Sequence, residues 1–422
     1  MSEPYVGART TWRNGSARPS ATLTTVGYLF WPGDHRADEH FTDQTFRDAM
    51  LAVEMVWLDV LVDAGIAPPD ARVDLAGLVE DYHEEWLVEE TEANGNPAMA
   101  LVGLLRSALD DEQPTAAAWL HCGLTSQDVV DTALMLMAQD AVAQLLVDIR
   151  GQAERLAMLA SSHKGTPMVA RTLTQHAVPT TFGLKAAQWL AGVLDAYDEL
   201  SGLVFPVQVG GAAGTHAAVV ELGGSPQEVV VQVAQRLDLA PAAPWHTRRK
   251  VVTRLGDALV RCTDAWGRIA EDVLTLSRPE IGELSEGTGT GSPVLSVLIR
   301  RAAMTTPGLA ATLHLAAAQQ VDERADGAWH AEWAALRDLV RRTLVAGSHA
   351  FDLVADLEVN RGQMASTLHS ARESVGAEQW SMAELAGKVP SFAYLGIASE
   401  LVDSVLERAR VTLSETPLEE VP

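Results

Sequence analysis

The residues Thr125-Ser126-Gln127-Asp128 open a long apolar helical pattern, and their hydroxyls and amide are groups that can hold a carboxylate. Read locally, Thr125 or Ser126 with Asp128 or Gln127 forms an N-cap, satisfying the amide N–H groups that a first helical turn leaves free. The same helix end carries partial positive charge, which suits an anionic substrate group. A second polar group, Arg171, Thr172, Gln175 and His176, falls just before Pro179, a residue suited to start a helix. His176 offers a general acid or a hydrogen-bond donor, although a lone histidine beside a helix start is more often structural. The stretch His246 to Lys250 crowds Arg248, Arg249 and Lys250 into one turn. That is either a solvated basic face or an anion clamp built on arginine's planar fork. The stretch Asp322 to Trp333 reads as a salt-bridged helix packed with aromatic rings. Last, SEGTGTGSPVLSVLIRRAA, Ser285 to Ala303, passes from a glycine-threonine loop into an apolar helix, with Ser285 and Ser292 on the loop.

Helices must position these groups. Thr42 is a plausible N-cap for a helix with apolar residues at Phe46, Met50, Val53, Val56 and Leu61, stopped near Gly65. From Ser126 to His163 the pattern contains no proline and one glycine, which predicts a rod of about 55 Å. Further long helices are predicted from about Pro179 to Leu203 and from Arg248 to Leu276, and period-2 alternation is nearly absent. The class is all-α, and helices of this length suit an elongated bundle in which several chains share one core. The expected organisation is an extended arm over 1–40, a helical domain over 41–124, a central long-helix domain over 125–350 and a C-terminal helical domain over 351–422.

Across 422 residues the chain is 47% hydrophobic and carries a net charge of -25. The charge argues against nucleic acid or an anionic membrane as the main partner, while leaving room for a local positive cleft that takes a small anion. Cys122 and Cys262 lie far apart without metal-ligand spacing, so neither a disulfide framework nor a zinc site is expected. With no unbroken apolar run of membrane-spanning length and no apolar stretch near its start, the chain is expected to be cytoplasmic.

Taken in order, TSQDVVDTA, RTLTQHAVPTTFGLKAA, VGGAAGT, PWHT, SPVLSVLIRRAA and WHAEW resemble the fumarase/aspartase superfamily. Within it they look most like the 3-carboxy-cis,cis-muconate cycloisomerase branch, which also holds nitrosuccinate lyase-like enzymes of secondary metabolism. The resemblance covers most of the chain from Phe41 onward. It implies a homotetramer with a central helical bundle, smaller terminal helical domains, and active sites each composed from three subunits. It also implies β-elimination on a carboxylate-bearing substrate, commonly with release of fumarate, without a metal or organic cofactor. On the matching positions, Thr125, Ser126 and Gln127 would bind substrate carboxylate, Gln175 and His176 would form the second substrate-contacting region, and Asn96 would belong to a loop that closes over substrate.

Three departures from the resemblance matter. Leu173 stands where fumarases and adenylosuccinate lyases place a histidine after Arg-Thr, which leaves His176 as a substitute acid. Arg248 replaces a glutamine of the cycloisomerases and should favour an additional negative or strongly accepting substrate group. The mobile loop that carries the family's basic serine is cut short: Ser292 takes the first serine position, Ser285 is a poorer candidate, and the family's following lysine and asparagine are missing. Arg171, Arg248 and Arg249 are then the cations available to stabilise a dianionic intermediate. These shortened places predict that the encoded protein carries further residues between Ser292 and Pro293, and again between Pro390 and Tyr394. The leading expectation is a carbon-nitrogen or carbon-oxygen lyase acting on a succinate-like anion, nitrosuccinate in particular. A carboxymuconate cycloisomerase and a non-catalytic binding or scaffold homologue are the alternatives.

Overall fold

A computed structural model describes residues 29–79, 83–287, 291–388 and 394–414. The chain divides into two compact units. The first comprises Met1–Ala138, Val204–Arg248 and Val321–Arg324; the second comprises Gln139–Leu203, Arg249–Gln320 and Ala325–Pro422.

In the first unit, α1 (Asp43–Asp63) begins where Thr42 Oγ1 accepts the Thr45 N–H at 3.1 Å, the N-cap its sequence predicts. Its buried face carries Met50, Val53, Trp57, Leu58 and Leu61, and it packs against α8 (Pro226–Leu237) through residues such as Val229 and Val233. Successive short helices α2 (Glu84–Asn94), α3 (Pro97–Leu109) and α4 (Pro114–Trp119) pack in chain order, with Leu101, Leu105 and Leu120 fully enclosed. The short α7 (Ala217–Glu221) follows a glycine-rich segment.

The longest helix, α5 (Ser126–Ser162), is nearly the length predicted, and the unit boundary falls inside it after Ala138. By length and composition it could cross a membrane, but 61% of its apolar window is buried inside the protein, as in a core helix.

The second unit is built on α6 (Phe182–Ser201), α9 (Lys250–Leu276), α10 (Val294–Ala318) and α11 (Gly327–Ala355). Here α9 packs on the other three, α10 packs on α11, and α14 (Ala398–Ser414) lies on α6. On α9 the buried residues Leu255, Leu259, Trp266, Ile269, Val273 and Leu276 recur at helical spacing and form one core stripe. A polar link crosses this core: Trp266 Nε1 donates to Gln152 Oε1 at 2.7 Å, and Gln152 Nε2 donates to the Gly347 carbonyl at 2.9 Å. Both halves of the glutamine are satisfied, so the link costs little when buried. Two small antiparallel pairs complete the unit, β1 (Pro167–Thr172) with β2 (Gln175–Thr181) and β3 (Leu284–Ser285) with β4 (Glu358–Val359), together with α12 (Arg361–Ser370) and α13 (Arg372–Leu385).

The hairpin corrects one expectation. Pro179 does not start a helix; it lies in β2 opposite Val169, and α6 begins at Phe182, capped by Thr181 Oγ1 accepting the Leu184 N–H at 3.1 Å. In a two-stranded ribbon every strand is an edge, so a proline without an N–H is tolerated. At the start of α10 the Val294 N–H donates to the Ser292 carbonyl at 2.9 Å. The segment Pro390 to Tyr394, where extra sequence was expected, lies largely outside the described residues.

Candidate active site

At the mouth of α5, Thr125 occupies the N-cap position and Asp128 the third helical position. Asp128 Oδ2 reaches back to accept the Thr125 N–H at 3.0 Å, half of a capping box. The same carboxylate is fully buried and accepts three more hydrogen bonds: from the Gly211 N–H at 2.8 Å, Gln208 Nε2 at 3.2 Å and His246 Nε2 at 2.9 Å. A buried carboxylate with four donors has its lone pairs satisfied and fixes everything attached to it.

What it fixes is the frame of the site. Gln208 is tied a second time, its Oε1 accepting the Trp245 N–H at 2.7 Å and its backbone exchanging hydrogen bonds with the Thr132 hydroxyl. The glycine-rich segment VGGAAGTH closes over the His246 ring so tightly that a β-carbon on Gly210 would stand 2.7 Å from His246 Cε1. Gly211 holds φ +69°, the left-handed conformation that turns its N–H towards Asp128.

Thr125, Ser126 and Gln127 are therefore held on one rigid turn, each almost wholly buried. Gln127 Nε2 donates to the His246 carbonyl at 2.9 Å and to Asp131 Oδ2 at 3.2 Å, while its buried Oε1 has no hydrogen-bond partner among the described residues. Ser126 Oγ accepts from Arg324 Nη2 at 3.1 Å. Arg324 was missed by sequence reading, which placed it in a helix; it lies in the bend before α11 and belongs to the first unit. The arrangement joins a helix N-terminus, two hydroxyls and a guanidinium, a set able to bind a carboxylate.

Two more histidines of this unit escaped the sequence reading. His216, with φ 52°, starts α7. Burial lowers its pKa below the ordinary value, and the nearby His246 adds to this while Asp128 opposes it. His121 Nδ1 lies 2.6 Å from Glu54 Oε1, a carboxylate buried to 0% exposure. Burial alone would lower the pKa of His121, but the charge and hydrogen bond of Glu54 overcome it, and the net shift is upward. His121 stands four residues before Thr125 and His216 directly follows VGGAAGT, but the partners that set their charge are distant in the chain.

Of the other predicted residues in this unit, Asn96 caps α3: its Oδ1 accepts the Met99 N–H at 3.2 Å and its Nδ2 donates to the Asn94 carbonyl at 3.3 Å. Arg248 is exposed and folds back on its own turn, donating to the Pro244 carbonyl at 3.2 Å.

In the second unit, the two-residue turn Leu173-Thr174 has φ of 48° and 66°, and Gln175 and His176 are exposed beside it on the hairpin. Leu173 is 95% exposed. Arg171, on the same hairpin, makes a two-pronged ion pair with the fully buried Glu283 at 3.0 and 3.1 Å. Ser292 is exposed ahead of α10, whose N-terminus is capped by Glu286 accepting the Leu295 and Ser296 N–H groups at 3.0 and 2.7 Å. Ser285, the poorer serine candidate, donates its hydroxyl to Glu358 Oε2 at 2.7 Å. Arg249, another of the cations the sequence offers, is buried and paired with Glu332, with Nε at 3.0 and 3.1 Å from the two carboxylate oxygens. Among the described residues no cluster of three or more His, Cys, Asp or Glu side chains is arranged to hold a metal ion.

A family model described as "Lyase" matches residues 78–294. The nitrosuccinate lyase of Streptomyces davaonensis is 36% identical over 403 residues, covering 89% of this chain and 84% of that protein. A 3-carboxy-cis,cis-muconate cycloisomerase of Bradyrhizobium diazoefficiens is also 36% identical, over 382 residues, covering 86% of this chain and 83% of that protein. Among solved structures, the 3-carboxy-cis,cis-muconate lactonizing enzyme from Pseudomonas putida superposes with a TM-score of 0.79 at 29% identity, covering 94% of this chain and 90% of that one. With the all-α fold, the ordered motifs and these relatives in agreement, the chain belongs to the lyase family of the fumarase/aspartase superfamily.

Proposed function

We propose that this lyase eliminates across a carbon–carbon bond of a succinate-like anion and releases fumarate, with nitrosuccinate as the specific substrate and nitrite as the second product. The base takes a proton from the carbon beside a carboxylate, the C–N bond breaks with its electron pair leaving on nitrite, and the carbon–carbon double bond forms. The observation that carries this reading is Arg324 Nη2 at 3.1 Å from Ser126 Oγ on the N-terminal turn of α5. A cation beside hydroxyls at a helix N-terminus supports this reading, because such an end favours an anionic group.

In this reading Thr125, Ser126 and Gln127 hold one substrate carboxylate. Asn96, Arg171, Gln175 and Arg248 complete the binding set, Ser292 is the base and His176 the acid. No cofactor takes part, and the working enzyme is a cytoplasmic homotetramer whose sites draw on three subunits.

A carboxymuconate cycloisomerase is the second reading, supported by a relative of that name at the same 36% identity. Incubating the purified protein separately with nitrosuccinate and with carboxymuconate, while following fumarate, nitrite and lactone, separates the two. Nitrite and fumarate in equal amounts support the first, lactone supports the second, and silence with both favours a binding or scaffold homologue.

A further inference from the structure

Glu283 is held through its backbone on both sides. Its N–H donates to the Leu276 carbonyl at the end of α9 at 2.8 Å, and its carbonyl accepts the Asn360 N–H ahead of α12 at 3.0 Å. Its side chain is fully buried, and each carboxylate oxygen takes one terminal nitrogen of Arg171, at 3.0 and 3.1 Å. The backbone fixes the carboxylate, and the carboxylate fixes the planar guanidinium through a two-pronged contact.

Arg171 lies near the turn of the β1–β2 hairpin, opposite His176, with Thr172 opposite Gln175. Two features keep this tip from setting its own geometry. The strand register shifts between Val169 and Arg171, which breaks the regular ladder. The turn residues Leu173 and Thr174 both hold positive φ, 48° and 66°, a conformation that leucine and a β-branched threonine resist. It persists where the surroundings impose it. Packing secures the base of the hairpin, where β1 lies on α12, β2 lies on α13, and Val169 is enclosed with Ala371 and Leu368. Nearer the tip Gln175 and His176 are exposed, and the Arg171–Glu283 pair ties this end to the body of the unit. The attraction within a buried ion pair is largely offset by desolvation, so such a pair adds more to defined geometry than to net stability.

We propose that Glu283 is a positioning residue for the reaction. Through Arg171 it holds the hairpin tip in the strained conformation that presents Gln175 and His176 to substrate, and the same contact sets the direction of the Arg171 guanidinium. Glu283 is itself fully enclosed, so it acts through these residues. A proton donor or a carboxylate-binding group displaced by about 1 Å loses much of its effect on rate. This inference rests on the lyase reading above, in which His176 is the acid.

The test combines steady-state kinetics, on whichever of nitrosuccinate and carboxymuconate the wild type turns over, with amide hydrogen exchange in the whole protein. Glu283→Gln should lower kcat per folded enzyme by about ten- to a hundredfold, with a smaller change in KM. It should also speed exchange over residues 171–176 by about tenfold or more while α9 keeps its wild-type rates. Glu283→Asp keeps the charge but draws it back by one methylene, and should fall between the wild type and Glu283→Gln in both measurements. A residue that only supports the fold would lower the amount of folded enzyme and leave its kcat unchanged. Where Glu283→Gln fails to fold, as judged by its helical circular dichroism, Glu283→Asp decides by the same measurements. Unchanged exchange at the tip, or faster exchange there with kcat unaltered, overturns this inference alone. Absence of turnover of both substrates by the wild type overturns the lyase reading and this inference with it.

Discussion

Arg324 Nη2 donates to Ser126 Oγ at 3.1 Å across 198 positions of sequence, bringing a guanidinium to the first turn of α5. The side chain of Ser126 is almost buried, whereas Arg324 is exposed, so the contact adds little to folding and is free to serve binding. Replacing Arg324 with methionine should leave the melting temperature nearly unchanged and lower kcat/KM by about ten- to a hundredfold, the loss of one charge-assisted contact. Steady-state kinetics beside a thermal melt checks both halves. A large drop in melting temperature with unaltered kinetics would assign Arg324 to the fold instead.

Asp128 behaves in the opposite way, since its four donors make it a keystone of the first unit. Asp128→Asn puts an amide N–H₂ where donors converge and leaves His246 without its carboxylate. The expected cost is about 3 kcal/mol, in the range for breaking a buried charged pair. Urea unfolding measures it, and a midpoint equal to that of the wild type contradicts the network.

His121 and His216 give stability opposite pH dependences. The pKa of His121 is raised above the ordinary 6.5, so its contribution is complete below that value and is lost as pH rises through the higher folded-state pKa. The pKa of His216 is lowered from 6.5, so the unfolded chain binds this proton first and stability falls as pH drops below 6.5 towards the folded-state pKa. Unfolding midpoints measured across pH should therefore lose their alkaline slope in His121→Gln and their acid slope in His216→Gln. Either variant keeping the wild-type profile would show that its histidine is not the titrating group.

The two loop serines should separate cleanly. Ser292 is exposed ahead of α10, while Ser285 is bound to Glu358 within the β3–β4 pair. Ser292→Ala is expected to abolish turnover without changing the melting temperature. Ser285→Ala should retain turnover and lose about 1 kcal/mol or less of stability. Turnover that survives Ser292→Ala removes this serine as the base.

Much of the helical framework was legible in the residues themselves. Thr42 as an N-cap, α5 as an unbroken rod and the start of α10 beside Pro293 all follow from caps, spacing and the absence of breakers, which act within a few residues. The hairpin was not legible, because its turn is Leu173-Thr174 instead of a glycine or asparagine pair, and Pro179 resembles a helix start. Thr125, Ser126 and Gln127 were recognisable as polar groups at a helix end, but their surroundings were not. Asp128 meets His246 across 118 positions, Glu54 meets His121 across 67, and Arg324 meets Ser126 across 198. Arg248 and Arg249 make the same point at closest range: identical neighbours in sequence, one is exposed on its turn and the other is buried against Glu332. The sequence determined which side chains can donate, accept or carry charge and which segments coil into helices, since those properties are local. Which partner each side chain meets was decided by the packing of elements far apart in the chain, because a hydrogen bond or ion pair depends on distances that only the tertiary fold sets.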